Sequence, residues 1–467
     1  MSSNLYYMDA IELSERIRTK EVSPVEAMQA HLDRIDSVNP KINAVVVLND
    51  AAMDEAHAAE AAVMRDENRG PLHGVPFTTK EVFDTRGVRS TRGSLLFRDR
   101  IPETDATAVR RLKEAGAILV GKTNCPEFAL SAETVNDLFG RTSNPWNTAR
   151  TPGGSSGGEA AAISAGLSSL GIGTDLGGSN RLPSHYCNIV GFKPTHGRIP
   201  LTGSWPELMS RRMHVGPIAR TVRDVALALS VLSGPDGVDP YALNLPAPDI
   251  PDFDFPLRPV RVGVLTQAPF APVDAEIQHA VTRAAAALAS FCPVEQVSFD
   301  WEDRLPISFT LDMLVVEANH YFAPFVSGHE DQLSGSIKGL LDAPMPTLID
   351  YMAAMDRHEA LCRDLAQFFG EYELLLCPTA PNIAPAHDSA EFVIDGTIAE
   401  APHAANITAT FGMSGHPAMS VPFAMSEAGI PIGVQLVANH LQEKMLLRVA
   451  AALEASCEAS GLHPPVE

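Results

Sequence analysis

The sequence predicts an α/β fold, a layered domain with a largely buried sheet, and three stretches carry that prediction. Helix-patterned "TDATAVRRLKEA" (104–115) is followed by the short apolar run "GAILVGKT" (116–123). In the same way "GEAAAISAG" (158–166) precedes "SSLGIGTD" (168–175). Near the end, "AMSVPFAM" (418–425), a turn at "EAG" and "GVQLVA" (433–438) read as paired strands. Such alternation places helices over a sheet whose strands are buried. Length sets the scale, since 467 residues suffice for one large α/β domain or two to three smaller ones.

Along the chain, residues 1–65 are helical in pattern. "DAIELSERIRTK" (9–20) and "SPVEAMQAHLDRIDSV" (23–38) space apolar residues by three and four, with Asp9 and Ser23 as N-caps. Strand and helix alternate through 66–234, beginning at "LHGVPFTTKEV" (72–82). Residues 235–259 hold seven prolines in 25 positions, which marks a surface crossing. In the section 260–370, a strand at "RVGVLT" (261–266) and a helix near 274–290 lead into a mostly helical stretch. The segment 371–467 returns to the sheet with "YELLLCP" (372–378) and closes on the helix "QEKMLLRVAAALEAS" (442–456). No internal repeat is present, so residues 1–467 read as one domain with an inserted helical section.

Bulk properties exclude several functions. A net charge of −22 and a pI near 5.1 argue against a nucleic-acid partner, because phosphate backbones call for basic faces. The N-terminus lacks the basic-then-apolar order of a signal peptide, and no run approaches the roughly 20 apolar residues that span a bilayer. Cys125, Cys187, Cys292, Cys362, Cys377 and Cys457 are scattered without a Cys-x-x-Cys pair, a pattern suited to a reducing cytoplasm. Neither His329-Glu330 nor His358-Glu359 continues into His-Glu-x-x-His, so no metal site is supported.

Three short motifs compete for the chemistry. "GAILVGKT" fits the Walker A spacing at every specified position, but its intervening residues are strand material and Pro126 follows where a helix should begin. Lys122 therefore reads as structural. "GGSSGG" (153–158) fits G-x-S-x-G twice, yet the preceding "SNPWNTARTP" offers no strand for a nucleophile elbow. Lysine usage is the sharper clue: with 27 arginines the chain has only eight lysines, and Lys80 sits in apolar "GVPFTTKEVFD". An ammonium there must snorkel to water or give up its proton, and a neutral lysine beside a hydroxyl serves as a general base. The glycines beside each serine stretch would expose backbone N–H groups to a developing oxyanion.

The stretch "GGSSGGEAAAISAGLSSLGIGTDLGGSNRLPSHYCNIVGFKPTHGR" (153–198) closely resembles the signature of the amidase signature family. The likeness continues upstream in "PLHGVPFTTKEVFDTRGVRSTRGS" and downstream in "HVGPIARTVRDVALAL" and "SGHPAMSVPFAMSEAGIPIGVQLVA". It implies a large central twisted sheet, mostly parallel or mixed, flanked by helices on both faces. It also implies a catalytic triad with Ser179 as nucleophile, Ser155 (after a cis bond from Gly154) as proton bridge and Lys80 as base. The N–H groups of Leu176, Gly177, Gly178 and Ser179 would form the oxyanion hole, with Ser156, Asp175 and Arg181 as supporting polar residues. Asn180, Glu81 and "SHYCN" (184–188) depart from the family pattern and put pocket detail in question.

What the resemblance implies for function is a hydrolase of amides, extending to carbamates and aryl esters, that works through an acyl-enzyme without a cofactor. The alternative is an amidotransferase subunit hydrolysing glutamine within a tRNA-dependent complex. Expected partners are a small-molecule amide or carbamate and no nucleic acid or membrane, in a monomer or homodimer. Substrate choice is expected from 125–133, from "TGSWPELMSRRMH" (202–214) and from the helical section near 305–350, whose apolar stripe reads first as helix core. Cys125, Trp205, Met209 and Arg211 are the candidate pocket residues.

Overall fold

Successive side chains of a strand point to opposite faces, and in the central strands both faces are buried. In the computed structural model, which describes residues 5–209, 212–254, 258–267, 272–301, 306–394 and 396–467, the strands run as follows. They are β1 (Val45–Leu48), β2 (Pro76–Lys80), β3 (Ile118–Thr123), β4 (Val135–Asn136), β5 (Gly140–Arg141), β6 (Leu170–Asp175), β7 (Val190–Lys193) and β8 (His214–Ala219). Then come β9 (Val262–Val264), β10 (Val294–Gln296), β11 (Leu374–Pro378), β12 (Glu391–Ile394), β13 (Thr397–Glu400), β14 (Ala418–Met425) and β15 (Pro431–Ala438). Eleven of them form a sheet in the order β1-β3-β2-β6-β8-β7-β14-β15-β11-β9-β10, while β4-β5 and β12-β13 are separate ribbons.

The sheet is mixed. Pairing is parallel towards both ends, at β3-β2-β6 and β11-β9-β10, and antiparallel through the centre and at the β1 edge. Leu119, Leu374, Leu376, Met419, Val421 and Leu436 belong to one core, with the helices Ala10–Arg18, Thr107–Glu114, Val222–Leu232, Ala275–Leu288 and Glu443–Glu454. Their strand neighbours turn the other way. Ile118 and Val120 meet the helices Pro24–Ile42, Ala52–Met64 and Gly157–Ser164. Leu375, Cys377, Ala418 and Val437 meet Pro306–Val326, Leu348–Glu371 and Asn406–Ser414. Helices thus cover both faces, as the sequence predicts.

Local chemistry explains some boundaries and tertiary contact others. Ser23 caps its helix in a full capping box with Glu26. Asp9 occupies the N-cap position of Ala10–Arg18 without a side-chain cap bond, and that end is capped from afar: Asp224 accepts the N–H groups of Ala10 and Ile11 at 3.1 and 2.9 Å. One departure lies in the N-terminal section, where "VVVL" forms edge strand β1 against β3 instead of continuing the helical pattern. Val45, Val47 and Leu48 there find cross-strand partners on β3, and the tertiary contact decides over local pattern. Among the described residues, 233–261 contain no helix or strand, in keeping with the proline-rich crossing.

Candidate active site

β2 ends at Lys80, which has no solvent exposure. Its Nζ lies 2.7 Å from Ser155 Oγ and 3.0 Å from Thr174 Oγ1. Burial, partly offset by the nearby Cys125, Asp175 and Glu159, lowers the lysine pKa to about 8. The ammonium therefore releases its proton far more readily than a lysine in water.

Ser155 sits in the turn before the helix Gly157–Ser164, and the Gly154-Ser155 peptide is cis. Ser179 occupies the turn between β6 and the helix Arg181–Cys187. The two turns lie edge to edge, with the Ser156 N–H donating to the Ser179 carbonyl oxygen at 3.1 Å. Ser156 Oγ in turn lies 3.0 Å from Asn180 Oδ1, and Asn180 Nδ2 donates to the carbonyls of Phe192 and Gly216 at 3.4 and 3.3 Å. That network gives the unusual Asn180 a set of partners that a buried apolar residue would lack.

Asp175 closes β6 and organises the turn beyond it. Its carboxylate accepts the N–H groups of Gly178 at 2.9 Å and Asn180 at 3.1 Å, and Arg181 Nη2 and Nε at 2.7 and 3.0 Å. Both side chains of this ion pair are fully buried. Burial pushes the Asp175 pKa up, but the charge and hydrogen bonds of Arg181 outweigh it and hold the carboxyl below its ordinary value. Arg181 Nη1 reaches across to Gln435 Oε1 on β15 at 2.8 Å. Gly178 has φ +123, and a methyl group there would collide with Thr408, so only glycine fits. Because the Gly178 N–H is turned to Asp175, it is not one of the donors left for a ligand. Among the described residues, the N–H groups of Leu176, Gly177 and Ser179 donate to no protein acceptor.

Gly154 and the turn Leu176–Ser179 line a cavity of about 580 Å³. Ala129 to Glu133 form one wall, and Leu311, Leu314 and Leu340 from the inserted helices form a second, as the sequence led us to expect for both segments. Leu311 and Leu314 lie on the helix Pro306–Val326, whose Met313, Ala318 and Phe322 pack in the core, so its apolar stripe serves both uses. A third wall is not foreseen in the sequence: Pro385, Ala386 and Asp388 to Ala390 with Phe392 on β12, and Ala405, Ala409 and Met413 on or next to the helix Asn406–Ser414. The spacing 405, 409, 413 marks one helix face, but nothing in the sequence says that this face looks into a cavity.

Among its described residues the segment 202–214 contributes none of that lining, which corrects Trp205 and Met209 as pocket residues. Trp205 is packed in an aromatic cluster, 4.8 Å from Phe128 and 5.4 Å from Phe322 between ring centroids, with the Arg92 guanidinium 4.3 Å over its ring. Met209 is buried in the same core, and its N–H donates to Glu317 Oε2 at 3.1 Å. Apolar side chains at a loop suit a packed core as well as a wall, and here the core takes them. Cys125 is also fully buried and off the cavity lining, its thiol pushed up by burial to about 12. Arg211 lies outside the described residues.

Comparison with known proteins agrees with this geometry. The amidase family model matches residues 26–447. A glutamyl-tRNA(Gln) amidotransferase subunit from Moorella thermoacetica is 35% identical over 98% of this chain and 99% of its own length. Among solved structures, a vestigial protein complex bearing on the origins of an s-triazine catabolic enzyme superposes with a TM-score of 0.90 at 29% identity, covering 98% of this chain and 100% of that one. A bacterial aryl acylamidase of the amidase signature enzymes gives a TM-score of 0.88 at 28% identity over 97% of each chain. With the family match spanning nearly the whole length and the fold shared throughout, this chain belongs to the amidase signature family of amidohydrolases.

Proposed function

We propose that the protein is a stand-alone hydrolase of uncharged aryl or alkyl amides, with carbamates and aryl esters as further substrates. The observation that carries this reading is the buried Lys80 amine 2.7 Å from Ser155 Oγ, beside a glycine turn whose Ser179 opens onto an apolar cavity. Neutral Lys80 draws a proton through Ser155 while Ser179 Oγ attacks the substrate carbonyl carbon. The N–H groups of Leu176, Gly177 and Ser179 receive the resulting oxyanion. The proton returns along the same path to the departing nitrogen, and water then hydrolyses the acyl-enzyme by the reverse relay. Asp175 and Arg181 hold the turn in shape, and Ser156 ties it to the neighbouring loop.

Cavity chemistry favours a neutral substrate. Among the described residues its only charged liners are Glu133 and Asp388, both acidic and both ion-paired with Arg141 behind them, so the lining itself presents no cation to a carboxylate. That observation weighs against free glutamine, the substrate of the second reading, an amidotransferase subunit. The second reading rests on the relatives of that name at 35% identity and below.

Incubating the purified chain alone with anilides, alkyl amides, aryl carbamates and glutamine separates the two. The hydrolase reading expects turnover of an uncharged amide without any partner, lost by several orders of magnitude in Ser179→Ala. Glutamine hydrolysis that appears only with copurifying subunits would favour the amidotransferase.

A further inference from the structure

Two successive carbonyls of the glycine turn point at one face of the helix Asn406–Ser414. The Gly177 carbonyl accepts from Thr408 Oγ1 at 2.6 Å. One turn later on the same face, a methyl group at Gly412 would fall on the Leu176 carbonyl oxygen, so that carbonyl is directed against the bare backbone at 412. In a trans peptide the C=O and the following N–H point in opposite directions. With both carbonyls held against the helix, the Gly177 and Gly178 N–H groups face away from it. The Gly178 N–H then meets Asp175 at 2.9 Å, which fixes the Gly177-Gly178 peptide at both ends. The Gly177 N–H is left as a donor.

We propose that Thr408 is a positioning residue for the oxyanion hole, and that Gly412 supplies the room the arrangement needs. Thr408 is fully buried, so the Gly177 carbonyl has no access to water through it. Its hydroxyl also lies 3.0 Å from the carbonyl of Ala405, the residue before its helix, but the shorter contact is the one to Gly177. Without that hydroxyl the Gly177-Gly178 peptide is held only through the Gly178 N–H on Asp175, and its carbonyl end can swing on the two flexible glycines. Movement of that peptide shifts the Gly177 and Gly178 Cα atoms from which the two flanking peptides hang, and these carry the Gly177 and Ser179 N–H groups away from the place where charge develops. The inference rests on the reading of Ser179 as nucleophile and of the Leu176–Ser179 turn as oxyanion donor.

The test compares Thr408→Val, which keeps shape but removes the hydroxyl, with Thr408→Ser, which keeps the hydroxyl, and Gly412→Ala. Readouts are kcat and KM on para-nitroacetanilide, inhibition by phenylboronic acid (whose serine adduct is a tetrahedral anion) and fluorophosphonate labelling of Ser179 by mass spectrometry. A lost oxyanion donor costs about 100- to 1,000-fold, so a loosened one in Thr408→Val should lower kcat about tenfold or more. KM should stay within about twofold, and boronate affinity should fall in step with kcat. Thr408→Ser should recover most of both, and Gly412→Ala should resemble Thr408→Val. Wild-type kcat and boronate affinity in Thr408→Val, a loss confined to KM, or equal losses in the Val and Ser variants would each overturn the inference. Should Thr408→Val fail to fold, Gly412→Ala and Thr408→Ser carry the same comparison. A wild-type protein with no adduct on Ser179 overturns the nucleophile assignment together with this inference. A labelled Ser179 with unchanged variant kinetics overturns this inference alone.

Discussion

Lys80 and Lys122 lie on adjacent parallel strands, β2 and β3, one residue out of register. Both are fully buried, and burial lowers both pKa values to about 8. Their partners differ. Lys80 faces two hydroxyls, Ser155 and Thr174, which can donate as well as accept. Lys122 Nζ donates to the Phe83 carbonyl and lies 3.0 and 3.2 Å from the hydroxyls of Thr85 and Ser90, with the buried Glu81 among its charged neighbours. A carbonyl only accepts, so Lys122 must keep a proton on that side and serves to fasten the loop after β2. A hydroxyl can hand its proton to an amine. Of the hydroxyls beside the two lysines only Ser155 belongs to the turns at the cavity, whereas Thr85 and Ser90 line none of it, so Lys80 is the one that can act as a base. Burial makes a lysine unusual; the neighbours decide what it does.

The largest effect that should separate them is on turnover. Lys80→Ala should remove activity by several orders of magnitude while the chain stays folded, and Lys80→Arg should not restore it, because arginine keeps its proton. Near-wild-type rates in Lys80→Arg would end the base assignment. Lys122→Met should behave in the opposite way. It should lower stability by about 3 kcal/mol, by stranding the Phe83 carbonyl and the Glu81 charge, yet leave the rate per folded molecule nearly intact. Denaturant melts beside active-site titration would show whether the two effects fall on the two lysines as stated.

Next in size is pH. The base must be neutral, so kcat/KM should rise as Lys80 loses its proton and level off above about pH 8. Stability should follow a related sign. Both lysines have folded pKa values below the ordinary 10.5, so between about pH 8 and 10.5 the unfolded chain holds more protons and stability climbs with pH. Lys122→Met should remove part of that climb without moving the activity profile. An activity profile that moves with Lys122→Met would show that the two lysines are not separate in function.

These two lysines also show what could be read from the chain and what could not. Lys122 sits in a motif with phosphate-loop spacing that folds as strand β3, as the strand-like Ala117 to Val120 before it predict. The serine turns were legible for the same reason: "GGSSGG" and "TDLGGS" each carry their own backbone demands in a few consecutive residues. The wall of Ala405, Ala409 and Met413 was not, because it depends on which face of a helix meets a turn more than 200 residues earlier in the chain. Trp205 was misassigned for a related reason. Its neighbours Phe97, Phe128 and Phe322 come from three distant segments, and only their meeting turns an exposed-looking loop into core.

The finest distinction between the lysines involves a group they share. Glu159, fully buried on the helix after "GGSSGG", accepts from the hydroxyls of Thr78 and of Thr123, the latter at 2.6 Å. Burial raises its pKa to about 7, and its negative charge raises the pKa of both Lys80 and Lys122. Replacing it by glutamine keeps an acceptor for one threonine and removes the charge. Without that charge each lysine holds its proton less firmly, so the alkaline rise of kcat/KM should move to lower pH in Glu159→Gln. The plateau rate should stay within about twofold, since Glu159 touches neither serine nor substrate. Stability should change in a different window: a carboxyl with a raised folded pKa loses stability as pH climbs from about 4.5 to 7, and glutamine should flatten that fall. A profile that stays in place, or moves to higher pH, would mean that the Glu159 charge does not reach Lys80 and that the base is set by its own desolvation alone.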